Sequence, residues 1–257
     1  MNFNLTNKVI VVTGGFGYLG KSICNSLADE GAIVYITGDN VKDDFKYKSH
    51  IEGKLNSLQL DIKDKNSIQN AFNLILESEG KIDVLINNAV YGNKIVIEDC
   101  FNFNKLIDGV DGSLGGVYRT TECIIPIFIN QMDGGNIINI ASMYGDVVPN
   151  NSIHPNTKII SSIGYCIGKA GIIQFTKYLA ANLGKDKIRV NCISPGAFPN
   201  VETQNDNDFI LKLNSKIPIG RIGNPTDLNG LIALLSSDSS SYITGQNITI
   251  DGGMTLW

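Results

Sequence analysis

The chain has 257 residues, 43% of them hydrophobic, a formal net charge of -4 and a pI near 5.2. That length fits one large α/β domain with a full core, and the acidic balance leaves no basic footprint for nucleic acid. No run approaches the ~18 apolar residues of a membrane span. The opening Met-Asn-Phe-Asn-Leu-Thr lacks the charged and apolar segments of a signal peptide, so a cytoplasmic location is expected.

Lys8–Thr13 is a basic-then-apolar run rich in β-branched residues, which reads as a buried parallel strand. It breaks into Gly14-Gly15-Phe16-Gly17-Tyr18-Leu19-Gly20. Gly15, Gly17 and Gly20 form G-x-G-x-x-G, the pattern of a strand-to-helix turn whose N–H groups meet a pyrophosphate. Gly14, Gly17, Tyr18 and Leu19 are the cofactor-binding candidates there. The helix that follows carries Leu19, Ile23, Leu27 and Ala28 on one face.

Gly31–Thr37 is a second strand, ending at Gly38-Asp39-Asn40. Asp39 lies about 20 positions past the glycine motif, where a carboxylate binds the adenosine ribose hydroxyls and repels a 2′-phosphate. Lys42 is the nearest cation, so NAD is expected over NADP. The alternative is that Asp39 is only a turn residue. Residues 41–54 are polar, helical or irregular.

Leu55–Leu60 is a third strand. Asp61 and Ile62 at its end can offer a carboxylate and a backbone N–H to adenine; Asp61 can also cap the next helix, over 65–79. Ile82–Ala89 is a fourth strand with an amide pair, Asn87 and Asn88, at its end. A helix over 103–131 contains Gly109, Gly112, Gly115 and Gly116, each costing ~1 kcal/mol in a helix interior. They predict a bend or a close approach by another backbone.

Gly135–Ala141 is a fifth strand with Ser142 at its carboxyl end. A polar connector over 143–163 follows, then a helix from Ile163 to about Gly184 with Tyr165 and Lys169 on one face. Lys187–Ile193 is a sixth strand, closed by Ser194-Pro195-Gly196. Residues 197–216 form a small lid, Pro225 opens a helix through Leu235, and Asn247–Ile250 is the last strand. This alternation predicts one Rossmann-type, doubly wound parallel α/β domain over 1–257.

Cys24, Cys100, Cys123, Cys166 and Cys192 form no C-x-x-C pair, and His50 and His154 are the only histidines. No metal site or disulfide framework is expected. Both histidines read as surface-loop residues.

Together these residues resemble the short-chain dehydrogenase/reductase family over nearly the whole chain. Thr13-Gly14-x-x-Gly17-x-x-Gly20 resembles its cofactor loop and Asn87-Asn88-Ala89 its strand-four motif. Ser142 with Tyr165-x-x-x-Lys169 resembles its catalytic set. Arg189-Val-Asn-x-x-x-Pro195-Gly196 and Ile243-Thr-Gly-Gln-x-x-x-x-Asp251-Gly-Gly253 resemble its C-terminal signatures. Residues 136–257 look most like bacterial members described as flagellin-modification or polysaccharide-related oxidoreductases. The resemblance implies cofactor contacts from Asn88, Ala89, Tyr165, Lys169, Pro195 and Gly196. It also implies a homodimer or homotetramer built through the helices near 103–131 and 163–184.

Four departures from the family pattern stand out. Tyr18 occupies a position where single-domain members usually carry glycine, a spacing closer to the nucleotide-sugar-modifying branch. Val90 replaces the glycine after Asn-Asn-Ala. Ser113 aligns with the family's relay asparagine if Gly116-Val117-Tyr118 is the anchor. Ser142 and Tyr165 are 23 residues apart instead of about a dozen, so residues 146–162 read as an inserted substrate-side loop.

Hydride transfer to a carbonyl needs a proton for the developing alkoxide. Free tyrosine, with pKa ≈ 10, is a poor exchanger near neutrality, and a nearby cation lowers that pKa. The expected roles are Tyr165 as general acid/base, Lys169 as electrostatic activator and ribose ligand, and Ser142 as substrate orienter. The amides, hydroxyls and His154 of the insert predict a sugar or sugar-derived substrate. Two alternatives stay open: an NAD-retaining sugar epimerase or dehydratase, and a non-catalytic dinucleotide-binding protein.

Overall fold

Val9–Thr13 (β1) serves two cores at once. Val9 and Val11 pack on one face of the sheet and Ile10 and Val12 on the other, all essentially without solvent contact. That double burial is why the run is apolar throughout instead of alternating. The computed structural model describes residues 3–41, 53–92, 94–96, 101–150 and 159–256.

The remaining strands are Ile33–Gly38 (β2), Lys54–Gln59 (β3), Val84–Asn87 (β4), Lys94–Val96 (β5), Gly135–Ile140 (β6), Ile159–Ser161 (β7), Ile188–Pro195 (β8) and Asn247–Ile250 (β9). Seven form one parallel sheet in the order β3-β2-β1-β4-β6-β8-β9. The order reverses beside β1, and the carboxyl ends of β1 and β4 there open the crevice where such sheets bind ligands. The predicted doubly wound fold is the one observed.

The helices are Tyr18–Asp29 (α1), Lys65–Glu79 (α2), Phe103–Val110 (α3), Gly116–Asn130 (α4), Ile163–Leu183 (α5), Val201–Gln204 (α6), Asn207–Asn214 (α7) and Asn229–Ser236 (α8). In α1 the buried positions are Gly20, Ile23, Cys24, Leu27 and Ala28, a core stripe at helical spacing. With α8 it covers one face of the sheet; α2, α4 and α5 cover the other.

A buried polar chain ties the second layer to the sheet. Thr120 donates to Asn87 Oδ1 at 2.7 Å, Asn87 donates to Asn139 Oδ1 at 2.9 Å, and Asn139 donates to Thr176 Oγ1 at 2.9 Å. Asn87 and Asn139 are cross-strand partners on β4 and β6. Deleting one member would orphan its neighbour, at about 1–3 kcal/mol.

The glycines of the 103–131 region do make close approaches. The helix continues from α3 into α4 through a π-turn, Asp111–Gly115, the kind of bulge that often accompanies functional sites. A Cβ on Gly112 would sit 1.9 Å from the Tyr91 carbonyl oxygen, and one on Gly164 would sit 2.2 Å from that of Leu106. A Cβ on Gly168 would sit 1.9 Å from Ser113 Oγ. Helix α5 therefore lies backbone-to-backbone on α3 and the π-turn.

Several boundaries differ from those expected. The connector after Ser142 begins with a 3-10 turn, Met143–Gly145, and ends in a strand: β7 pairs antiparallel with β5. Neither short strand carries enough alternation to be read from sequence. Asp61 is not the cap of α2; Asp64 is, its Oδ1 accepting from Asn66 N at 2.9 Å. Pro225 opens a 3-10 turn, Pro225–Leu228, before α8. Within the expected 41–54 segment and the 146–162 insert, residues 42–52 and 151–158 lie outside the described residues, as do His50, His154 and Cys100.

Candidate active site

A cleft of about 650 Å³ runs along the carboxyl ends of the strands, and every site residue expected from the sequence lines it. Its floor is the turn after β1. Gly14 has φ +62°, and a Cβ there would lie 2.8 Å from Ala89 Cα. Gly15 faces the other way, against Ile36 and Cys24, so it serves packing and does not line the cleft. Gly17 precedes α1 without a side chain to cap it. The first N–H groups of α1 thus lack intrahelical acceptors, beside Tyr18, Leu19 and Gly20 of the cleft wall.

Strand β4 locks that turn in place. Asn88 N and Ala89 N donate to Thr13 Oγ1 at 3.0 and 3.1 Å. Asn88 Nδ2 donates to the carbonyls of Thr13 and Gly14, both at 3.0 Å. At the far rim Asp39 is exposed, just past the end of β2. Asp61 accepts from Lys63 N at 2.9 Å and donates its own N–H to Ser67 Oγ at 3.0 Å.

Beside Ile62 lies a cluster that sequence reasoning missed. Arg119 donates from Nε to the Ile62 carbonyl at 2.9 Å, from Nη1 to Asp111 at 2.8 Å and from Nη2 to the Tyr91 hydroxyl at 2.8 Å. Tyr91 in turn donates to Asp111, and Lys63 Nζ sits 4.5 Å from the Tyr91 ring centroid. Burial, with Asp111 beside it, pushes the Tyr91 phenol up to about 12. The Arg119 guanidinium holds the Asp111 carboxyl below its usual range. The one signal in sequence was a carboxylate and a rare arginine eight residues apart on one helical path.

The catalytic candidates meet at the other end. Ser142 closes β6; its Oγ accepts from Tyr144 N at 3.2 Å. Ser162 caps α5 and fixes Tyr165 in the first turn. Lys169, one turn on, is 4% exposed. Its Nζ donates to the Ile140 carbonyl at 2.6 Å and lies 5.6 Å from the Tyr165 ring centroid.

Electrostatically the site departs from expectation. Burial pushes Lys169 down to about 8. It also holds the Tyr165 phenol above its ordinary value, with Ser142 pulling the other way. The expected lowering of Tyr165 is therefore not found: burial of the phenol outweighs its hydrogen bond with Ser142. Ser113 stands in the π-turn, buried against Gly168 of α5. Its hydroxyl donates to the Gly109 carbonyl at 2.7 Å, in the seam between α3 and α5.

A family model described as enoyl-(acyl carrier protein) reductase matches residues 18–255. The 3-oxoacyl-[acyl-carrier-protein] reductase FabG of Thermotoga maritima is 32% identical over 98% of this chain and 99% of its own length. The chain belongs to the short-chain dehydrogenase/reductase family. A 7alpha-hydroxysteroid dehydrogenase of Paraclostridium sordellii is 32% identical over 98% of this chain and 93% of its own. The short-chain dehydrogenase of Leptospira borgpetersenii, solved with bound NAD+, superimposes with a TM-score of 0.86 at 33% identity, covering 99% of this chain and 95% of that one.

As a short-chain dehydrogenase/reductase the protein is an NAD(P)-dependent oxidoreductase acting on CH–OH groups, and the cleft fits that cofactor. An uncapped helix start stands where a diphosphate needs N–H donors, and a Cβ at Gly17 would lie 3.2 Å from the Gly14 carbonyl. Enzymatic function displaces the non-catalytic alternative. Among the described residues there is no group of three or more His, Cys, Asp or Glu able to hold a metal. No described helix is long and apolar enough to cross a membrane.

Proposed function

We propose that the protein interconverts a secondary alcohol and a ketone on a sugar-derived small molecule, preferring NAD. One observation carries the redox chemistry: Ser142, Tyr165 and Lys169 line the same cleft as the glycine turn. The nicotinamide, when bound, supplies or takes up the hydride. The phenol of Tyr165, kept protonated by burial, gives its proton to the carbonyl oxygen in reduction and recovers it in oxidation. The Ser142 hydroxyl holds that oxygen in line. Lys169, buried beside the phenol, favours its ionised form and binds the cofactor's ribose.

Gly14, Gly17, Tyr18 and Leu19 hold the diphosphate in this reading. Asp61 and Ile62 face adenine, and Asn88, Ala89, Pro195 and Gly196 shape the remaining wall. NAD preference is supported by the exposed Asp39 carboxylate at the rim. Among the described residues lining the cleft, the cations are Lys63 and the buried Lys169, and Lys63 already sits over Tyr91.

The sugar assignment follows the amide- and hydroxyl-rich composition of 146–162. Relatives named for acyl-carrier and steroid substrates supply the rival classes. Those relatives are reductases and dehydrogenases, which favours net redox turnover over an epimerase with retained NAD. The test is absorbance at 340 nm with NADH and NADPH across sugar-derived ketones, acyl thioesters and oxosteroids. Turnover of sugar-derived ketones with NADH supports the proposal; activity confined to thioesters or steroids overturns it.

A homotetramer is proposed as the working state. Half-exposed apolar side chains on α3, α4 and α5, including Ile107, Tyr118, Ile129, Ile167 and Tyr178, suit such contacts. Sedimentation of a monomer at micromolar concentration would contradict it.

A further inference from the structure

Tyr18 stands where single-domain members of the family usually carry glycine, and its hydroxyl has a partner far along the chain. Gln204, the last residue of α6, donates from Nε2 to the Tyr18 hydroxyl at 2.9 Å. The same amide nitrogen donates to the Pro199 carbonyl at 2.8 Å, on the approach to that helix. At the start of α6, Asn200 Oδ1 accepts from Thr203 N at 2.9 Å and from Thr203 Oγ1 at 2.7 Å. The short helix is thus held at its start by Asn200 and at its end by one glutamine, which also reaches the glycine turn. Tyr18 and Asn200 line the same cleft, so this contact joins the glycine turn to a short helix that begins at the cleft wall.

A phenol has one proton to donate besides the lone pairs that accept. With Gln204 donating to it, Tyr18 keeps that proton for an acceptor in the cleft. The residue is the first of α1, beside the N–H groups that would meet a diphosphate. A hydroxyl that donates to an anion becomes a better acceptor in turn, so the two bonds strengthen each other. A glycine at this position could do neither.

We propose that Tyr18 is a positioning residue that joins the dinucleotide site to the substrate lid. Its phenol donates to the diphosphate and, through Gln204, holds α6 over the cleft. Dinucleotide binding then sets the lid, and by linkage the lid delays dinucleotide release. This proposal rests on the family's cofactor and not on the sugar assignment, and its main readouts need no substrate.

The experiment compares the intact protein with Tyr18→Phe, Gln204→Leu, Gln204→Asn and the Tyr18→Phe/Gln204→Leu double variant. NADH dissociation is followed by stopped-flow fluorescence, and hydrogen exchange of residues 197–216 is followed with and without NAD+. One neutral hydrogen bond is worth about a 2- to 13-fold change in an equilibrium. Gln204→Leu should speed NADH dissociation about 3- to 10-fold and abolish the NAD+-induced protection of 197–216. Gln204→Asn, too short to reach, should do the same. The double variant should lose no more lid protection than either single one. Unchanged dissociation and protection in Gln204→Leu, or full additivity of the two substitutions, would overturn the proposal.

Discussion

Ser162 Oγ accepts the backbone N–H of Tyr165 at 2.9 Å, so the phenol proposed as proton donor is set by the cap of its own helix. Gly109 makes this possible, since a Cβ there would come within 2.7 Å of Ser162 Oγ and 2.9 Å of Tyr165 N. Ser162→Ala removes the cap, which costs about 1 kcal/mol. It also loosens the turn that aims the phenol. The expected outcome is a modest fall in unfolding midpoint in urea together with a several-fold loss in kcat. NADH affinity should stay near its starting value, because the glycine turn is untouched. A variant with unchanged kcat would show that the cap is only structural.

The seam between α5 and the π-turn offers a second test. A Cβ on Gly168 would sit 1.9 Å from Ser113 Oγ and 3.1 Å from its Cβ. Gly168→Ala should therefore destabilise the protein by about 1–3 kcal/mol through overpacking. Replacing Ser113 by glycine removes the obstructing side chain. The double variant Gly168→Ala/Ser113→Gly should recover part of the loss, a coupling readable as a double-mutant cycle in chemical denaturation.

Much of the fold was legible because its strands are buried on both faces. Continuous runs such as Val9–Thr13 cannot be mistaken for surface segments, and the stripe of α1 appears at fixed spacing. The convergence of Ser142, Tyr165 and Lys169 on one cleft was legible because Tyr165 and Lys169 share a helix face and Ser142 follows a strand end. Less was visible where partners are far apart in sequence. The Arg119–Asp111–Tyr91 cluster and the Tyr18–Gln204 bond depend on tertiary proximity that no periodicity encodes. The phenol's raised pKa depends on how deeply the ring is buried, which spacing alone does not report.

Lys169 gives the site a pH signature. Burial lowers its pKa from 10.5 to about 8. Between those values the unfolded chain binds a proton that the folded chain does not, so stability rises with pH across that window. The penalty for holding the charged lysine is full below about pH 8 and is relieved as pH climbs toward 10.5, on the order of 3 kcal/mol. Lys169→Met deletes the titrating group. In dinucleotide-free protein, the difference in unfolding free energy between wild type and Lys169→Met should shift in favour of wild type between pH 8 and 10. A flat difference would mean that the ammonium is solvated in the folded state.

The protonated phenol sets the direction of the activity profile. With Tyr165 held above its ordinary pKa, the form that donates a proton dominates at neutral pH. Ketone reduction should be nearly constant from pH 6 to 8, and alcohol oxidation should climb into the alkaline range. Tyr165→Phe should lower kcat by about 10²–10⁴ in both directions while still binding NADH, as read by fluorescence titration. Retention of kcat within tenfold would remove the phenol from the reaction.

The rim residue Asp39 decides between the two dinucleotides in the proposed function. It is exposed beyond β2, and its own carbonyl accepts from Gln59 Nε2 at 3.4 Å, which ties the rim to β3. A 2′-phosphate there would meet a carboxylate, a like-charge encounter that costs binding. Asp39→Ser combined with Asn40→Arg exchanges that repulsion for a guanidinium able to grip a phosphate. The expected outcome is a shift of at least tenfold in the ratio of NADPH to NADH affinity toward NADPH, with the Ser142–Tyr165–Lys169 chemistry intact. Wild-type protein that already binds NADPH more tightly than NADH would overturn the assignment of Asp39, and with it the NAD preference.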